Sequence, residues 1–270
     1  MEALPQGEGI EAVDLEGYIR TQLESKQVLL MTHLIVGYPS VEVNRQMLEI
    51  MAEVGIDLIE LQMPFSEPVA DGPTFVRANQ AAIAAGLRLD DYFELMERSV
   101  SAYPFPHLMM GYYNTAFRMG HGEFCRRLRE VGAAGFILPD LPIEEYGDLF
   151  ALSADSDLSP IQLMTPTNSS QRLEAIGERV SGFAYAVARR GVTGGRTEFD
   201  GGTFEFVARC RSATDLPLAL GFGLRRGDDL RQLRGRVEVG IVGSALLEAW
   251  ERGGAEGYRH LLLDLAGGRH

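Results

Sequence analysis

The chain has 270 residues, with 25 Lys and Arg against 38 Asp and Glu, and a net charge of −13. That balance argues against a nucleic-acid partner, which needs clustered cations, and no apolar run reaches the length of a transmembrane helix. Cys125 and Cys210 are too few and too far apart for a disulfide framework or a zinc site.

Short apolar runs alternate with longer amphipathic ones along the whole sequence. The pattern predicts a leading helix over 14–25, a strand over 28–36, a helix over 40–54 and a strand over 56–62. Helices over 73–86 and 90–102 follow, then a strand over 107–113 and a helix over 121–132. The second half gives strands over 135–139, 160–165, 182–187, 216–221 and 238–242. They alternate with helices over 143–155, 170–179, 203–212, 227–234 and 244–265. Eight strands, each followed by a helix, predict an α/β fold of the (β/α)8 TIM-barrel type with an extra N-terminal helix. Such barrels run to about 250 residues, so one domain is expected over 1–270, with 1–13 flexible and 266–270 frayed. The acidic N-terminus lacks the basic-then-apolar order of a signal peptide, and a cytoplasmic location is expected.

Barrels of this kind place their sites on loops leaving the C-terminal ends of the strands. The unusual residues of this sequence cluster there. Glu60 closes the second strand, on a face shared with Ile56, Leu58 and Gln62. An acid in such a run is costly to bury without a partner or a purpose, and Glu60 is the best general acid/base candidate. Asp71 stands before Gly72-Pro73, where capping of the next helix and catalysis are equally good readings. Tyr185 shares a face with Phe183 and Val187 and points into the barrel, by itself more often a core residue. His33, between Met31 and Ile35 on one face, also reads as core. Gly194-Gly195, Gly223 and Gly243-Ser244 follow the last three strands. Glycine loops and the start of the last helix there suit a phosphate group.

Absences narrow the chemistry further. Lys26 is the only lysine and precedes the first strand, so a Schiff base on a barrel strand is excluded. The five histidines are dispersed, none at ligand spacing from a carboxylate, so no metal is expected. Proton transfer by carboxylates on a phosphorylated substrate remains.

Taken together, these segments resemble the alpha subunit of tryptophan synthase. The resemblance is carried by Glu60-Leu61, Pro64-Phe65-Ser66, Ala70-Asp71-Gly72-Pro73, Tyr113-Asn114, Pro139-Asp140-Leu141-Pro142, Gly191-Val192-Thr193-Gly194, Gly221-Phe222-Gly223 and Val242-Gly243-Ser244-Ala245. It runs from Gln27 to Trp250. It implies retro-aldol cleavage of indole-3-glycerol phosphate to indole and glyceraldehyde 3-phosphate. By that resemblance Glu60 shuttles the proton, Asp71 accepts the indole N–H, and Tyr185 and Phe222 lie beside them. Thr193, in a loop opened by Arg189, bonds the second carboxylate on closure. Gly194, Gly223, Gly243 and Ser244 hold the phosphate. It also implies no cofactor in this chain, and an alpha2-beta2 complex in which a beta subunit carries pyridoxal phosphate and receives indole. A stand-alone lyase and a non-catalytic regulatory partner are the alternatives. The sequence departs from the family at Gln62 (commonly Gly), Glu67 (Asp) and Tyr38 (Asp), and near His33, where the family has an aromatic.

Overall fold

The computed structural model describes residues 12–187, 201–221 and 223–270. Eight strands close into one barrel in chain order: β1 (Leu29–Ile35), β2 (Leu58–Gln62), β3 (His107–Met110), β4 (Gly135–Ile137), β5 (Ser159–Met164), β6 (Ala184–Val187), β7 (Leu218–Gly221) and β8 (Val239–Val242). Each pairs in parallel with its neighbours, and β8 returns to β1. The strands read as near-continuous apolar runs because both their faces are covered.

Alternation divides the core into two layers. Leu29, Met31, Leu58, Leu108, Ile137, Ile161, Phe183, Ala219 and Val239 fill the barrel interior. The opposite faces meet the helices. Among these, α2 (Val41–Val54) and α3 (Pro73–Ala84) follow β1 and β2, and α4 (Leu89–Ala102) leads into β3. The leading helix, α1 (Leu15–Gln22), is capped by Asp14, whose carboxylate accepts from the Gly17 N–H at 3.0 Å. It seats Leu15 and Ile19 with the interior layer and so packs against the barrel core.

Two expectations need correction. The strand predicted over 107–113 stops at Met110, and Tyr113 opens a helix, α5 (Tyr113–Met119), before α6 (His121–Glu130). The first N–H of α5 donates to Asp140 Oδ1 at 2.9 Å. That cap comes from a residue after β4, so no local pattern announces it. The helix predicted over 143–155 is a 3-10 turn (Ile143–Glu145) and a short helix, α7 (Leu149–Asp155), parted by Gly147 at φ +55°. The later helices are α8 (Ser170–Gly177), α9 (Gly201–Ala213), α10 (Gly227–Arg231) and α11 (Ser244–Gly267).

Near the C-terminus, Arg269 ties the chain end to the segment between α2 and β2. The Arg269 guanidinium donates to the Gly55 carbonyl at 2.6 Å and to Asp57 Oδ2 at 3.0 Å, and its own carbonyl accepts from Gln27 N–H at 2.9 Å. Asp57 is buried and also accepts from Lys26 Nζ at 2.5 Å and Leu30 N–H at 2.8 Å. Removing one member of a buried charge cluster leaves the others uncompensated. Asp57→Ala is therefore expected to lower unfolding free energy by about 3 kcal/mol, measured by urea titration. A change within a few tenths of a kcal/mol would show the cluster to be dispensable.

Candidate active site

One cavity opens among the C-terminal strand ends, lined by His33, Glu60, Asp71, Phe75, Tyr185 and Gly221, with Met110, Ile137, Pro139 and Leu163 among the apolar remainder. Its polar groups come from three places. β1 supplies His33, β2 and its loop supply Glu60 and Asp71, and β6 supplies Tyr185 from a different quarter of the wall.

The β1–β2 register sets the first contact. His33 lies beside Glu60 and Ile35 beside Gln62. His33 Nδ1 stands 2.7 Å from Glu60 Oε1, and Nε2 stands 2.6 Å from Gln62 Oε1. Phe75 lies against the imidazole, with ring centroids 4.5 Å apart. Glu60 is 1% exposed. The Tyr185 hydroxyl reaches it at 3.5 Å, a long contact. Burial opposes the charged imidazole. The adjoining Glu60 carboxylate, the Asp71 charge and the Gln62 hydrogen bond outweigh it, and His33 titrates above its ordinary value. Linear spacing hides this His–Glu pair, because 27 residues separate partners that strand pairing brings together.

Asp71 lies one position before Gly72, the N-cap of α3. Its Oδ2 accepts from Gln62 Nε2 at 2.7 Å and from Asn79 Nδ2 at 3.2 Å. Burial raises its pKa, with hydrogen bonds from Gln62 and Tyr112 and the His33 charge pulling the other way. The Tyr112 hydroxyl also accepts from the Ala70 N–H at 3.1 Å, and its ring stacks on Phe65 at 5.1 Å. Tyr112 therefore pins both ends of the segment carrying Asp71. The sequence singled out neither Tyr112 nor Asn79 as a site support. Only the folded loop brings them to Asp71.

Tyr185 is partly buried, and desolvation together with the two carboxylates raises its pKa well above the ordinary value. It is a neutral donor at any physiological pH. Gly221 on the neighbouring strand makes room for it, since a Cβ there would stand 2.8 Å from the ring and 2.9 Å from the hydroxyl. Gly221→Ala is thus expected to push Tyr185 off Glu60 and lower turnover by about tenfold, as a misplaced group does. Unchanged turnover would leave Tyr185 as packing.

The proposed anion cradle is partly in view. Gly223 follows β7 in a left-handed conformation, φ +67°. Gly243 follows β8, and a Cβ there would meet the Phe75 ring at 2.7 Å and His33 Cβ at 3.2 Å. Ser244 begins α11 directly after Gly243 at the C-terminal end of β8. The strands are neighbours, Gly221 lying opposite Ile241. Arg189, Thr193, Gly194, Gly195 and Phe222 lie outside the described residues. Among the described residues no helix is long and apolar enough to cross a membrane.

A family profile described as tryptophan synthase alpha chain matches residues 19–262. The tryptophan synthase alpha chain of Desulforapulum autotrophicum is 40% identical over 252 residues, 93% of this chain and 100% of that one. That of Syntrophotalea carbinolica is 41% identical over 240 residues, 89% of this chain and 95% of that one. A solved Mycobacterium tuberculosis tryptophan synthase chain aligns with a TM-score of 0.88 at 33% identity, over 96% of this chain and 98% of that one. Register, cavity and likeness thus converge, and the chain belongs to the tryptophan synthase alpha chain family.

Proposed function

We propose that this cavity performs the alpha reaction of tryptophan synthase, cleaving indole-3-glycerol phosphate to indole and glyceraldehyde 3-phosphate. The observation that carries the reading is the placement of two buried carboxylates, Glu60 and Asp71, on one apolar cavity at the strand C-termini. The reaction breaks a carbon–carbon bond by moving protons. Indole C3 gains a proton, and the ring nitrogen takes up positive charge. The hydroxyl beside the scissile bond loses its proton and becomes a carbonyl. The bonding electron pair returns to the ring, restoring the aromatic indole. The hydroxyl proton lost and the C3 proton gained balance, so one carboxylate can serve both steps.

Glu60 is that carboxylate. Asp71 accepts the indole N–H and stabilises the charge that develops there. Tyr185 donates to Glu60 from the far wall and keeps its carboxylate turned to the cavity. Gly223, Gly243 and Ser244 hold the phosphate with backbone N–H groups, joined by Gly194, while Thr193 bonds Asp71 on closure and Phe222 serves the substrate beside the two carboxylates. The apolar wall of Met110, Ile137 and Leu163 suits the indole ring and keeps water from the intermediate.

Indole passes to a beta subunit, which carries pyridoxal phosphate and makes tryptophan, so the alpha chain needs no cofactor of its own. A cytoplasmic setting suits the chain, whose Cys125 and Cys210 are buried free thiols. The test is indole release from indole-3-glycerol phosphate by the full chain, with and without a beta subunit. Efficient release only with the partner supports the complex, efficient release alone supports an independent lyase, and no release in either case ends the reading.

A further inference from the structure

A second feature of the site goes beyond the two carboxylates, although it rests on reading them as the reacting pair. Glu60 and Asp71 are joined by an unbroken line of hydrogen bonds through His33 and Gln62, and backbone groups fix the direction of that line. Asn79 is oriented first. Its Oδ1 accepts from the Phe65 N–H at 2.9 Å, and its Nδ2 donates to the Phe75 carbonyl at 2.8 Å. A flipped amide would lose both bonds. With Asn79 fixed, its Oδ1 can only receive the Gln62 amide, and Gln62 Nε2 lies 3.3 Å away. The same nitrogen donates to Asp71 at 2.7 Å. Gln62 Oε1 must then face His33, and His33 Nε2 must carry a hydrogen to meet it at 2.6 Å.

The other imidazole nitrogen is left facing Glu60 Oε1 at 2.7 Å. One proton lies between Nδ1 and that oxygen. With Glu60 ionised, His33 is doubly protonated and every polar contact in the line is met. The charged and titratable groups facing His33 are Glu60 from β2 and Asp71 from the following loop. Tyr185 from β6 lies beyond Glu60, and Tyr112 beyond Asp71. On its remaining sides are the Phe75 ring, Gly243 and a small void that it shares with Tyr38 and Tyr258. No other cation meets the pair among the described residues.

We propose that His33 is a positioning residue for the reaction, held by Gln62 so that its Nδ1–H orients the Glu60 carboxylate toward the cavity. Gln62 acts one step further out, fixing the His33 tautomer and steadying Asp71. When His33 loses the Nδ1 proton, a ring lone pair faces the carboxylate and Glu60 turns away from the cavity. Activity then falls as pH rises through the His33 titration. The upward direction of the His33 shift is consistent with this arrangement.

The test uses the full chain and two variants. His33→Phe keeps a ring against Phe75 and removes both N–H groups. Gln62→Met keeps the length and removes the amide. Two readouts are taken: kcat and KM for indole release across pH with a beta subunit present, and nitrogen NMR of labelled histidine in the ligand-free chain. The proposal expects wild-type His33 to be protonated on both nitrogens at neutral pH. It expects each variant to lose about ten- to a hundredfold in kcat with KM within about twofold. In Gln62→Met the His33 titration and the alkaline limb of kcat should move together to lower pH, and in His33→Phe that limb should vanish. Loss of kcat with an unchanged pH profile, normal kcat in both variants, or a His33 bare at Nε2 would overturn it. The NMR result stands apart from turnover. If the wild type releases no indole, the functional reading fails while the protonation of the bridge is still decided.

Discussion

Glu60→Gln is expected to lower kcat for indole release by about two to four orders of magnitude, with KM nearly unchanged. The amide has the shape of the carboxylate, and its oxygen can still accept from His33 Nδ1, now 2.7 Å from Glu60 Oε1. It cannot carry a proton from the substrate hydroxyl to indole C3. A group that acts only in the transition state changes kcat rather than substrate affinity. Steady-state kinetics with a saturating beta subunit measure this directly. A raised KM at normal kcat would make Glu60 a binding group and remove the proton shuttle from the mechanism.

Asp71→Asn is the second large effect, a loss of about two to three orders of magnitude in kcat, comparable to removal of an electrostatic partner of a developing charge. The substitution is nearly isosteric. An amide oxygen turned to Gln62 Nε2 and Asn79 Nδ2 keeps the contacts now made to Oδ2 at 2.7 and 3.2 Å. What it loses is the negative charge that stabilises the ring nitrogen as indole C3 is protonated. Near-normal turnover would reduce Asp71 to an anchor for its loop. The two variants also separate by position. Glu60 meets His33 directly, whereas Asp71 meets it through Gln62. Losing the Asp71 charge should therefore make His33 easier to deprotonate, since that charge is among those holding its proton.

The departures from the family's usual residues acquire a physical meaning. His33 and Gln62 read separately as a core histidine and an oversized polar neighbour. Together they form one structure, each satisfying the buried polar atoms of the other. Either residue without the other would leave one buried polar atom unmet, His33 Nε2 or Gln62 Oε1. Tyr38 has a comparable but peripheral role. Its hydroxyl donates to Glu251 at 2.8 Å, and Arg77 donates to the same carboxylate at 2.9 Å, tying the β1 loop to α3 and α11.

By itself the sequence determined the barrel and the location of its chemistry. Apolar runs at regular intervals, separated by amphipathic stretches, leave a chain of this length little alternative to parallel strands covered by helices. Burial on both faces is what such runs require. Strand alternation grouped Glu60 with Leu58 and Gln62 on one face, and the single lysine excluded the imine route. Tertiary structure decided what distant segments do to one another. It set the surroundings of Asp71, by bringing Gln62 and Asn79 to its carboxylate. It ended β3 early, because Asp140 supplies the cap for α5 from across a strand. It paired His33 with Glu60, because register between adjacent strands sets which inward side chains touch. The reason is common to all three cases. Periodicity reports which way a side chain points, whereas hydrogen-bond partners in a barrel come from neighbouring strands and loops tens of residues away.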